Sequence, residues 1–177
     1  MWAMKIPGGH KRGFPAVAGE KPRILILGSL PGEESLRKRQ YYAHKRNLFW
    51  PIMGELLGFE PDKAYCERIA ILKKRGIALW DVLMACEREG SLDSSIVDAT
   101  SIENNFISFY AEFPTIRYIF FNGTKAETEY KKRVLPAVRR ERLYLVYKKL
   151  TSTSPAMAGL TKEQKLSRWS AQLRELI

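Results

Sequence analysis

Residues 23–50, RILILGSLPGEESLRKRQYYAHKRNLFW, are the stretch around which the chain is organised. Ile24 to Leu27 form an unbroken apolar run, the pattern of a parallel strand buried on both faces. The run breaks at Gly28-Ser29-Leu30-Pro31-Gly32, where two glycines and a proline permit a tight turn with the backbone close to a ligand. In open α/β sheets, ligands bind at such turns, outside the carboxyl ends of the strands. Downstream, Arg37-Lys38-Arg39 and Lys45-Arg46 flank Tyr41-Tyr42, and Asn47-Leu48-Phe49-Trp50 follows. Cations suited to phosphates thus alternate with aromatic faces suited to bases.

Outward from this stretch, Pro51 marks the start of a short helix that Gly58 ends, because a proline deeper inside a helix removes a hydrogen bond and clashes. Pro61 to Lys74 places Ala64, Tyr65, Ile69 and Leu72 at helical spacing, with Lys73-Lys74-Arg75 in the last turn and Gly76 closing it. Ile77 to Val82 reads as a second strand; Asp81 at its end either does chemistry or braces the following loop. Cys86 to Ser101 is polar and reads as a loop on the ligand side, and Ile102 to Tyr110 as a short helix. Arg117 to Phe121 is the third strand and runs into Asn122-Gly123-Thr124, before a helical segment from Lys125 to Leu135. Leu143 to Tyr147 is the fourth strand. The last helix carries Leu166, Trp169, Leu173 and Leu176 at helical spacing, with Thr161 and Gln164 as its capping box. Strand and helix alternate without a repeat, so the expected fold class is α/β: a three-layer α/β/α sandwich on a four-stranded, mainly parallel sheet. Residues 1–22, rich in Pro and Gly, are expected to form an irregular arm ahead of a single domain over 23–177.

The chain has 177 residues, 30 of them basic and 19 acidic, for a net charge of +11. An excess of this size favours a polyanionic partner, through counterion release where that partner is a nucleic acid. Cys66 and Cys86 are too few and too far apart for a zinc site or an iron–sulfur cluster, so neither metal nor cofactor is expected. No run approaches the ~20 apolar residues of a membrane span, and the N-terminus lacks the apolar core of a signal peptide. The expectation is therefore a cytoplasmic, nucleoid-associated monomer with no membrane attachment.

Three pieces in order, GSLPG at 28–32, YY at 41–42 with NLFW at 47–50, and STSPA at 152–156, resemble the uracil-DNA glycosylase superfamily, most closely its hypoxanthine-DNA (deoxyinosine) glycosylase branch. The resemblance runs from about Arg23 to the C-terminus. It implies the superfamily's α/β/α architecture and a monofunctional glycosylase of base excision repair. Such an enzyme hydrolyses the N-glycosidic bond of a deaminated base, hypoxanthine foremost, in double-stranded or single-stranded DNA. Mismatch-specific uracil glycosylases carry a catalytic Asn before Pro-Gly, where this chain has Leu30. In the hypoxanthine branch the catalytic amide belongs to the Asn-x-Phe-Trp motif, which carries over to Asn47.

Such an enzyme must swing the nucleotide out of the stack. Asn47 is the residue to aim water at C1′. An amide is hardly basic, so catalysis would come mainly from stabilising a cationic sugar and a departing anionic base. The same Asn also suits a turn or a helix cap. Gly28, Ser29 and Leu30 are expected to line the base pocket, and Tyr41, Tyr42 and Phe49 either stack on the base or pack in the core. Asn122 offers a donor and an acceptor matching the O6 and N1–H of hypoxanthine, or else shapes the Asn-Gly turn. Pro31, Gly32, Ser152, Thr153, Ser154, Pro155 and Ala156 are expected along the DNA backbone, with Met157 as a wedge filling the vacated stack. Superfamily members with His before Pro in the second motif stabilise the leaving group in a way this chain lacks; His44 is either a substitute or a surface residue. A lyase would need an amine nucleophile, and no matched motif contains lysine. Leu30 keeps open a non-catalytic nucleic-acid-binding module on the same fold. A small-molecule nucleotide hydrolase fits poorly with the charge and the absence of a Gly-Lys-Ser/Thr phosphate loop.

Overall fold

The computed structural model describes residues 10–139 and 142–177. In chain order its elements are β1 (Lys11–Arg12), β2 (Ile24–Gly28), α1 (Glu33–Lys38), α2 (Phe49–Leu57), α3 (Tyr65–Lys74), β3 (Ile77–Asp81), β4 (Leu83–Cys86), β5 (Ile102–Glu103), α4 (Phe106–Glu112), β6 (Tyr118–Asn122), α5 (Thr124–Glu129), α6 (Leu135–Val138), β7 (Val146–Leu150) and α7 (Lys162–Leu173). Four parallel strands form the main sheet in the order β3-β2-β6-β7. The apolar run of β2 is explained by this position: a central parallel strand is covered on both faces, and all five of its residues are buried. On one face Ile24, Ile26 and Phe120 pack against α2, Leu72 of α3, and Trp169 and Leu173 of α7. On the other, Leu25, Leu27 and Phe121 pack against α4, α5 and α6. The expected three-layer α/β/α sandwich is therefore observed.

The sheet order also fixes where a ligand can enter. From β2 the chain crosses to β3 on one side and later to β6 on the other, so the two crossovers diverge at β2 and leave a crevice beyond its carboxyl end. The sheet closes there with two pairs, Gly28 with Asp81 and Asn122 with Leu150, Gly28 and Asn122 each following the last β2–β6 pair, Leu27 and Phe121. Counting by two from Ile24, Ile26, Leu79 and Phe120 places Gly28, Asp81 and Asn122 on the α2/α7 face.

Several boundaries differ from the sequence reading. The fourth strand lies at Val146–Leu150, not 143–147. Leu143 is 81% exposed, while the strand runs on through Lys148 and Lys149, whose charges an edge strand tolerates. Within 86–101, expected to be loop, Cys86 closes β4 and two short 3-10 turns follow; β5 then pairs antiparallel with β4. The helix expected from Ile102 starts at Phe106, where Asn105 caps it by accepting from the Ser108 N–H at 3.1 Å. The segment expected as one helix over 125–135 contains a π-helical turn, Tyr130–Val134. The arm is not irregular throughout: β1 pairs with β4, and Val17 exchanges backbone hydrogen bonds with Leu79. Residues 1–9 of the arm lie outside the described residues. No helix among the described residues is long and apolar enough to cross a membrane.

Candidate active site

Gly28 at the end of β2 pairs with Asp81, and a side chain here would collide with the Asp81 carboxylate. The missing Cβ leaves a slot at the strand end, and the Tyr42 hydroxyl points into it, 3.5 Å from where that Cβ would be. Tyr42 adopts φ 56°, a left-handed conformation that costs a bulky residue energy. Its ring stacks on Phe49 with centroids 4.0 Å apart and planes 20° from parallel, and the residue stays half-buried. Tyr42 is thus a platform with a rigid aromatic support behind it. Burial pushes its phenol well above the ordinary value, so it is neutral.

Phe49 and Tyr41 do not reach the crevice. Phe49 is fully buried, with Tyr42, Trp50 and Trp169 around its ring. Tyr41 is 3% exposed; its backbone N–H donates to the Tyr65 hydroxyl at 3.0 Å, and its own hydroxyl donates to the Pro15 carbonyl. Their apolar mass is spent holding Tyr42, so of the three aromatic residues expected to stack, Tyr42 alone is placed to do so. Leu30 is likewise buried, against Leu83, Cys86 and Ile96, and presents no side chain to a base. The Ser29 hydroxyl donates to Asp93 at 2.6 Å and is similarly engaged. What fixes the 28–32 turn is Arg88, a buried guanidinium that donates to the carbonyls of Leu30 and Pro31. Gly32 begins α1.

Asn47 is half-buried in the turn before α2, and its Oδ1 accepts from the Phe49 N–H at 3.0 Å. The turn geometry expected of an Asn here is present, and it also orients the amide, leaving the NH₂ and one carbonyl lone pair unspent. The next residue ties this turn to the second motif: the Leu48 N–H donates to the Thr153 carbonyl at 3.0 Å. Thr153, fully buried, also brackets Asn122. Its N–H donates to Asn122 Oδ1 at 2.9 Å, and Asn122 Nδ2 donates to Thr153 Oγ1 at 2.9 Å. Because a backbone N–H can only donate, this pair settles which way the amide faces. It also uses the amide edge that carries both the oxygen and the adjacent N–H. A base therefore cannot meet donor and acceptor of Asn122 together, as the sequence reading expected; the second N–H, the one Thr153 does not engage, lies toward the Tyr42 hydroxyl.

Ser152 and Ser154 fold their hydroxyls back on the loop, accepting from the N–H groups of Ser154 and Ala156 at 3.2 Å each. Pro155 is half-buried, while Ala156 and Met157 are exposed, Met157 at 42%. Gly123, at φ 102°, lets this loop approach: a Cβ there would lie 2.9 Å from that of Ser152. Among the basic residues of the first motif, Arg37 and Lys38 both pair with Glu34. His44 is exposed, its Nδ1 accepting from the Arg46 N–H at 3.2 Å. Asp81, read from sequence as either a chemical group or a loop brace, closes β3 as a buried carboxyl. Only 3% exposed, with Oδ2 lacking a hydrogen-bond partner, its carboxyl is pushed up to about 8 by burial, the attraction of Arg88 notwithstanding.

Residues 15–174 match the sequence profile of the Uracil DNA glycosylase superfamily. The chain belongs to that superfamily. A relative in Methanosarcina acetivorans named hypoxanthine DNA glycosylase is 46% identical over 136 residues, covering 72% of this chain and 85% of the relative. One of the same name in Methanosarcina barkeri is 43% identical over 117 residues, 66% of this chain and 73% of the relative. A solution NMR structure from Methanosarcina acetivorans, described as a uracil DNA glycosylase, superposes with a TM-score of 0.78 at 43% identity, covering 94% of this chain and 98% of that one. Two side chains that hold the motif loops through their carbonyls, Arg88 and Lys165, were not singled out from sequence. Arg88 lies in a stretch with no periodic signal. Lys165, by contrast, stands four residues before Trp169 and eight before Leu173, on the buried stripe of α7.

Proposed function

We propose that this superfamily member is a monofunctional DNA glycosylase that hydrolyses the N-glycosidic bond of hypoxanthine in DNA, with uracil and xanthine as lesser substrates. The observation that carries the reading is the junction at Thr153, which draws the Asn47 turn and Asn122 together beside the half-buried face of Tyr42. The names of the two relatives support the same chemistry.

In this reading the nucleotide leaves the duplex and its base stacks on the free face of Tyr42. The remaining N–H of Asn122 donates to O6 of hypoxanthine or O4 of uracil. Adenine and cytosine present an amino group at that position, so donor would meet donor and the buried N–H would lose its partner, at a cost of ~1–3 kcal/mol. As the bond from C1′ to the base nitrogen lengthens, its electron pair goes to the base. The Asn122 N–H stabilises the charge that collects on the exocyclic oxygen. Water held by the Asn47 carbonyl adds to C1′ and loses a proton to solvent, while the departed base anion takes one up, giving the abasic sugar and the neutral free base. Met157 takes up the vacated stack, and the 152–156 loop holds the flanking backbone.

The test is single-turnover cleavage of a labelled duplex containing one deoxyinosine. Abasic product at enzyme excess is expected. Asn47→Ala should slow the chemical step by at least ~10²-fold with DNA affinity nearly unchanged. Binding without abasic product from the unaltered protein would leave a nucleic-acid-binding module.

A further inference from the structure

Lys165 is 2% exposed, the only lysine buried to this degree among the described residues. It lies in the first turn of α7, where the helix dipole already disfavours a cation. Its Nζ donates to the Met157 carbonyl at 2.8 Å and to the Ser154 carbonyl at 3.4 Å. Trp169, one turn on, donates from Nε1 to the Thr151 carbonyl at 2.8 Å. Three carbonyls of the 151–157 segment therefore face α7, and two of them are held by a single buried ammonium.

Among the described residues this ammonium has no carboxylate partner. Lys125 is paired with Glu129 at 2.7 Å, Lys11 with Glu33 and Lys131 with Glu127 at 2.8 Å, although all three are more exposed. The partners of Lys165 among the described residues are carbonyls alone, and burial holds its pKa below the ordinary lysine value. Burying a cation without an anion is costly, and two carbonyl dipoles offset only part of that cost. A neutral side chain of similar length would fill the same space without the penalty.

We propose that the missing counter-charge is a DNA phosphate, and that Lys165 is the positioning residue that makes the Ser152–Met157 loop a phosphate seat. From behind the loop the ammonium fixes the carbonyls inward, and its field adds to that of the α7 N-terminus on the solvent side. The phosphate sits on the loop and does not touch the lysine. Bringing this phosphate down completes a charge pair that the free protein lacks, so binding at this loop favours the geometry in which Met157 enters the stack. The inference rests on the glycosylase reading of the loop.

The experiment measures binding to a deoxyinosine duplex in which the phosphates around the lesion are replaced, one at a time, by neutral methylphosphonate. For the unaltered protein, one position should weaken binding at least ~10-fold. For Lys165→Met the same replacement should cost less than ~2-fold, whereas Lys165→Arg should keep the sensitivity. If Lys165→Met responds at every position as the unaltered protein does, the lysine merely braces the loop and the inference fails. In case that variant does not fold, the side-chain ammonium ¹⁵N signal of Lys165 in the unaltered protein decides. It should move on adding the all-phosphate duplex and stay in place with the one methylphosphonate duplex that impairs binding; no movement with either overturns the inference. Failure of the unaltered protein to bind the all-phosphate duplex would instead sink the glycosylase reading itself.

Discussion

Asp81→Asn is expected to make the protein more stable, and increasingly so as pH rises. The folded carboxyl is pushed up from 3.8 to about 8 by burial, whereas in the unfolded chain it titrates near its ordinary value. Between those two values the unfolded chain is ionised and the folded one protonated, so folding takes up a proton. The contribution of this group is therefore greatest at low pH and is lost as pH rises, by about 1.4 kcal/mol per unit, levelling off only above about 8. From pH 5 to pH 7 that is about 2.7 kcal/mol, or roughly 5–10 °C in melting temperature for a chain of this size. Asparagine has nearly the same shape and no proton to take up, so the term vanishes in the variant. Thermal melts of both proteins at pH 5, 6 and 7 measure it as the gap between their Tm values, which should widen steadily. Other groups shift both proteins alike and cancel in the gap. A gap that stays constant, or narrows, would mean that Asp81 is ionised in the folded protein and that the reading of its burial is wrong.

Asn122→Asp should abolish hypoxanthine and uracil excision while Thr153 still anchors the side chain through its N–H, because a carboxylate cannot donate to an exocyclic oxygen. Normal single-turnover rates in a folded variant would remove Asn122 from base reading. Met157→Ala should impair excision from well-paired duplexes more than from mismatched or single-stranded DNA, where unstacking is cheap; equal losses on all three would exclude the wedge. Gly28→Ala should destabilise by about 1–3 kcal/mol, because its methyl meets the Asp81 carboxylate on a neighbouring strand. Urea midpoints check this, and an unchanged midpoint would show that the slot is not tightly filled.

The architecture was legible because its central strand is apolar without alternation, a pattern that few positions in a fold permit. The edge strand was misplaced for the complementary reason: Lys148 and Lys149 belong to a strand that needs apolar residues on fewer sides. In the site, the structure joins the Asn47 turn to the second-motif loop through Leu48 and Thr153 and leaves Met157 exposed. Tyr41, Tyr42 and Phe49 could not be told apart by type, since stacking on a ligand and stacking on a neighbour ask for the same ring. Only burial separates them: Tyr41 and Phe49 are buried, while Tyr42, at φ 56°, is half-buried. The Thr153 bracket on Asn122 joins residues 31 apart in sequence, and Arg88 reaches back 57 residues to Pro31. No local spacing encodes such pairs. Lys165 did leave a trace, as a charge on a stripe otherwise made of Trp169 and Leu173.

The parallel pairing of β2 and β3 obliges α3 to run back across the sheet, so its first residues stand at the edge where the strands end. Tyr65 accordingly reaches the Tyr41 backbone, and its neighbour Cys66 is exposed. The second of the two cysteines, Cys86, is buried, with its thiol pushed up chiefly by that burial. The chain therefore carries one thiol open to maleimide chemistry, already located on the functional edge. A fluorophore attached to Cys66 would report the approach of a duplex without any engineered cysteine.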